Sequence, residues 1–191
     1  MCVSVAGSML AGCAALFPSA PPATFDLSAP NRVPASMSAP RGMLVVAHPT
    51  GLDVVDSNRI LARSGNSVSY VPDAQWSARL SDLLQARIIA SLEDAGRLRS
   101  VARPSDRVSP DFDLFTEIRR FEIDATGATP QAVIEIAARI VGDKDGQVKA
   151  ARVFTVRLPA QEVNGPAASA ALNAALAKFL DELVRWTTSN V

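Results

Sequence analysis

The sequence predicts an α/β chain of the α+β type, with a single mixed, mostly antiparallel sheet and two helices packed on one face. Three observations carry this. Apolar residues recur at three- and four-residue spacing in two windows, residues 80–92 and 168–183, each giving one apolar helix face. Strict alternation of apolar and polar residues runs from 134 to 158 around an Asp-Gly type turn at 143–146, which reads as a half-buried hairpin. The element order is strand, hairpin, helix, strand, three antiparallel strands, helix. Two such helices bury their stripes most economically on one face of one sheet.

Taken in order, Met43-Leu44-Val45-Val46-Ala47 is a short apolar run before Pro49 and Gly51, as expected of a buried strand. Residues 59–62 and 67–71 flank Ser64-Gly65-Asn66, a hairpin signal. Asp73 is placed to cap the next element, a helix over about 77–94 built on Leu80, Leu83, Leu84, Ile88 and Leu92 and stopped by Gly96. Leu98–Ala102 is a short strand before Pro104, and Leu114–Ile123 mixes aromatic, β-branched and charged residues as a half-exposed strand does. The hairpin of 134–140 and 150–158 follows. The last helix carries Ala168, Leu172, Ala175, Leu176, Phe179, Leu180 and Leu183, with Pro166 at its start, where a missing N–H costs nothing.

Composition sets the class. The 191 residues hold 19 basic and 19 acidic side chains, and 48% are hydrophobic, enough for a real core. Zero net charge without a local surplus of Lys and Arg argues against nucleic acid as a partner. The two cysteines, Cys2 and Cys13, both fall in the first thirteen residues, so neither a disulfide framework nor a Cys/His zinc site can be assembled with the single histidine, His48.

The N-terminus is the most specific segment. Residues 1–25 hold no charged side chain, and Leu10-Ala11-Gly12-Cys13 resembles a bacterial lipobox, in which small residues enter a peptidase cleft and the cysteine thiol receives the lipid. The competing reading is a frayed apolar end with a chance cysteine. No basic residue precedes Arg32, so the true start is expected upstream of Met1. Six prolines between Pro18 and Pro40 then read as a tether that forms neither helix nor sheet interior. The expected division is residues 1–12 as a signal-peptide remnant, 13–41 as a lipid-anchored tether reaching up to ~85 Å, and 42–191 as a domain that folds alone.

No phosphate-binding Gly-rich loop, dinucleotide fingerprint or nucleophile elbow is present. His48 sits at a strand end without a sequence neighbour that would make it a base; the bland reading is a strand-end polar residue. Asp111 with Asp113, or Asp143 with Asp145, could approach a hard cation, but turn formation explains them better. Tyr70 and Trp76 bracket the expected helix start and read as core packing, not as a ligand cage. Trp186 is read the same way. The expected catalytic, cofactor and metal residues are therefore none.

Tyr70-Val71-Pro72-Asp73-Ala74-Gln75-Trp76-Ser77, followed by Leu83-Leu84 and Leu92, resembles the central motif of the ABC-type transport auxiliary lipoproteins. The resemblance continues through Asp113-Leu114, Ile118, Phe121-Glu122 and Val153-Phe154 to Asn173-Ala174-Ala175-Leu176, Leu183-Val184 and Trp186. It implies an outer-membrane lipoprotein on the periplasmic face, anchored at Cys13 and non-catalytic. Its implied partners are an ABC permease, an ATPase and a mammalian-cell-entry-type substrate-binding protein that moves lipid between the two membranes. Whether it forms a homo-oligomer stays open. The alternative is a stand-alone periplasmic lipoprotein that binds a small ligand or cell-envelope polymer in a cleft.

Overall fold

The computed structural model describes residues 21–28 and 41–191. Its strands are β1 (Ala23–Phe25), β2 (Arg41–Val46), β3 (Thr50–Gly51), β4 (Arg59–Ser64), β5 (Ser67–Trp76), β6 (Leu98–Ala102), β7 (Phe112–Asp124), β8 (Gln131–Gly142) and β9 (Val148–Pro159). The helices are α1 (Leu80–Asp94) and α2 (Gly165–Ser189). All nine strands form one mixed sheet, so the α+β expectation holds. Five of the eight strand pairings are parallel, yet the three antiparallel ladders are the long ones.

Strand β7 is the spine. One edge carries β8 along nearly its whole length, and β9 pairs beyond β8. The other edge carries three short parallel strands in succession: β2 at residues 112–114, β3 at 117–118 and β4 at 122–124. Chain 41–64 is thus one interrupted edge laid along β7. The interruptions matter because loops 47–49 and 52–58 must leave the sheet between them. Outside β2 lies β6, and outside β4 lie β5 and then β1. Helix α1 carries the chain from β5, outside β4, to β6, outside β2.

The core lies between the helices and one sheet face. Leu84, Ile88, Leu92, Leu172, Leu176, Phe179 and Leu183 are buried against Leu114, Ile118, Phe121, Ile134, Ile136 and Phe154. Aromatic edges fix the contact: Phe154 meets Phe179 and Trp186 at 5.6 Å each, and Trp76 meets Phe121 at 6.0 Å.

Three expectations need correction. Helix α1 begins at Leu80 rather than 77, because β5 runs on through Pro72 to Trp76 as an outer strand. Asp73 caps nothing; it sits at φ 50° where β4 and β5 slip register between Arg59 and Leu61, a position short polar residues tolerate. The cap comes from far away, the buried Asp56 carboxylate accepting from Ser81 N at 2.9 Å. Second, Tyr70 is not core. It lies exposed under the Arg59 guanidinium, 4.8 Å from its ring centre, while Trp76 is buried as expected.

The third correction concerns the expected tether. Ala23–Phe25 pairs in parallel with Ala74–Trp76, and Leu27 is 1% exposed. Proline does not prevent this because β1 is a sheet edge and Pro21 and Pro22 precede it. The folded unit therefore draws on residues before 42.

Candidate functional site

The face of the sheet turned away from the helices is not uniformly wet. Phe115 on β7, Ala137 on β8 and Ala151 and Val153 on β9 alternate with the core residues and so share the outer face. They floor a groove of about 470 Å³ whose rim includes His48, Thr50, Glu117, Arg119 and Arg139. Val153 is nearly half exposed. The volume is within the range of small-molecule sites.

Local irregularities shape this groove. A β-bulge between Ile118 and Arg120 leaves Arg119 without a pairing partner, and its side chain, in step with Phe115 and Glu117, is exposed on the outer face. Opposite it, Gly51 lets β3 come close: a Cβ there would lie 3.2 Å from the Ile118 carbonyl. The short β3 and its flanking loops bring His48 and Thr50 to the rim.

Charge in the groove is partly spoken for. Arg119 Nε lies 3.4 Å from Glu117 Oε2. Arg152 turns over the edge, toward Glu182 on α2 at 3.3 Å and over the Phe154 ring. Arg139 stacks on Phe115, 4.9 Å from the ring centre, and has no carboxylate partner among the described residues. The arrangement is an apolar floor with one free guanidinium over an aromatic ring. It can hold an apolar group next to a negative or hydrogen-bond-accepting one.

His48 is held at both ring nitrogens, Nε2 by Asp82 at 2.9 Å and Nδ1 by the Pro49 carbonyl at 3.0 Å. The aspartates considered for a cation are engaged otherwise: Asp111 with Met43 N and Arg99, and Asp145 with Gln147 N and Lys149. Burial, and then the charge of Asp143, pushes the Asp113 carboxyl above its usual range. No cluster of three potential metal ligands occurs among the described residues. Among them, too, no helix is long and apolar enough to cross a membrane. Cys13 lies outside the described residues.

Sequence reasoning missed the groove. The available signal was an aromatic, Phe115, on the face of a strand otherwise read as wet, with Val153 across from it on the same face.

Comparison with known proteins now places the chain. An uncharacterised protein of Bradyrhizobium diazoefficiens is 33% identical over 165 residues, which is 86% of this chain. The chain spans only 44% of that relative's length. The crystal structure of a Xanthomonas campestris protein superimposes with a TM-score of 0.79 at 31% identity, covering 88% of this chain and 96% of that one. A hypothetical protein of Chlamydia trachomatis shares the fold at a TM-score of 0.53 and 9% identity, over 78% of this chain and 97% of its own. Residues 25–184 match a family described as the ABC-type transport auxiliary lipoprotein component, and the match starts at Phe25, the last residue of β1. The chain belongs to that family of transport auxiliary lipoproteins.

Proposed function

We propose that the protein is a non-catalytic auxiliary subunit of an ABC/mammalian-cell-entry-type lipid transport system, held by a lipid on Cys13 at the periplasmic face of the outer membrane. The family match over residues 25–184 carries this reading. The fold adds consistent detail: an open, partly apolar groove lies on the outer face of the sheet, suited to docking a partner. In this reading the permease and ATPase do the transport work, and this chain tethers the assembly to the second membrane.

Two measurements test it. With the full native signal present, Cys13→Ala should move the protein from the membrane fraction to the soluble one, since acyl chains contribute about 0.8 kcal/mol per buried methylene. A membrane-bound Cys13→Ala protein would refute the anchor. Capture of the lipidated protein from envelopes should bring down the permease, the ATPase and the mammalian-cell-entry-type protein together; capture without them would refute the auxiliary role.

The groove favours one second reading, a stand-alone lipoprotein that binds a small amphiphile or an envelope polymer. It predicts ligand binding by the isolated protein and no loss of function when the transporter genes are removed.

A further inference from the structure

The six residues Ala23–Ser28 are fastened far more firmly than a tether requires. The Phe25 carbonyl accepts from Ser77 N at 2.7 Å. Asp26 accepts from Ser77 Oγ at 3.1 Å and pairs with Arg87 on α1 at 2.8 Å. Asn173 on α2 clamps the segment from the other side, donating to the Asp26 carbonyl at 3.1 Å and accepting from Ser28 N at 2.7 Å. Leu27 is buried, and Phe25 lies against Gly165, where a Cβ would come within 3.0 Å of the Phe25 ring. One short segment thus holds a strand edge, α1 and α2.

We propose that residues 23–28 are a strap that fixes the reach of the membrane anchor. This rests on Cys13 as the lipidated residue. The reach of a lipid-anchored domain is set by the chain between the lipid and the first residue held by the fold. Among the described residues the first one held is Ala23, not the expected 42, so at most ten residues set the reach rather than about thirty. Ten residues span at most ~35 Å fully extended and ~18 Å r.m.s. as a coil. Residues 29–40 lie between the strap and β2 and add nothing to it. The domain is kept next to the bilayer that holds its lipid, and the end of the sheet where β1 begins is the end nearest the lipids.

Position-dependent insertion tests this without weakening the fold. A twenty-residue Gly/Ser segment is placed in the full lipidated chain either between residues 20 and 21 or between residues 34 and 35. Stand-off from a supported bilayer of phosphatidylethanolamine and phosphatidylglycerol is then read by neutron reflectometry. The first insertion triples the number of residues between Cys13 and the strap and should raise the r.m.s. reach about 1.7-fold. The second should leave it unchanged. Equal lengthening by both insertions, with both proteins retained on the bilayer, would overturn the strap alone. Loss of every form from the bilayer would overturn the anchor at Cys13, and the strap's function with it. Asp26→Ala with Asn173→Ala, in the chain lengthened at 34–35, should convert its stand-off to the longer value; no change there would also count against the strap.

Discussion

Glu122 is the most committed charge in the molecule. Its side chain is fully buried, yet it bonds Arg63 Nε at 2.8 Å and Arg120 Nε at 2.7 Å, and Arg120 continues to Asp124. The bond to Glu122 holds Arg63 above its usual range. Removing one member of such a network leaves the others uncompensated, so Glu122→Ala should cost about 3 kcal/mol in denaturant unfolding, and Glu122→Gln less. Bonds from Thr126 and then Arg120 hold the Asp124 carboxyl down to about 2, against a usual 3.8. The folded value is the lower one, so the ionised carboxylate stabilises the fold above pH 3.8, and that stabilisation fades as pH falls toward about 2. The stability gap between the native protein and Asp124→Asn should therefore close over that interval; a gap constant across it would show that the pairing contributes nothing. The Thr187 hydroxyl is the opposite case, buried on α2 with no hydrogen-bond partner among the described residues. Thr187→Val keeps the shape and removes an unpaired polar atom, so melting should stay level or rise.

Among the elements, the strap strand makes the largest difference between expectation and structure. A chain starting at residue 42 loses the burial of Leu27 and part of Phe25, and its melting should show a loss of roughly 3 kcal/mol relative to one starting at residue 21. Equal melting would return residues 23–27 to the tether. Trp76→Ala, which empties a site packed edge-on to Phe121, should cost about 3–5 kcal/mol. The two helices, β6, β7 and the β8–β9 hairpin were legible because each carries its own period and its own stop signals, such as Gly96, Pro130 and Asp143–Gly146. What was illegible depended on distant partners. Nothing in Ala-Thr-Phe announces a strand until Ala74–Trp76 offers a free edge. Nothing near Leu80 reveals that Asp56, a quarter of a hundred residues earlier by chain and adjacent in space, supplies the cap. Asp73 read as a cap because Asp is a good one locally; the left-handed turn in β5 is a demand of the β4 register, not of its neighbours.

For the whole molecule, the family was readable from order and spacing, but the groove was not, since its floor comes from three strands and its rim from an interrupted edge. That assembly makes a discriminating experiment possible. Val153 and Arg139 sit on the outer face, outside the packed core, so Val153→Asp and Arg139→Glu remove the apolar floor and the free cation at little expense in stability, within about 0.5 kcal/mol each for exposed positions. If the groove is where the transporter docks, either change should abolish co-capture of the partner proteins while melting stays level. If it holds a small amphiphile instead, co-capture persists and only ligand binding by the isolated protein falls. A third result, intact capture and intact ligand binding in both variants, would remove the groove from function and direct attention to the end of the sheet at β1, where the chain that follows Cys13 joins the fold.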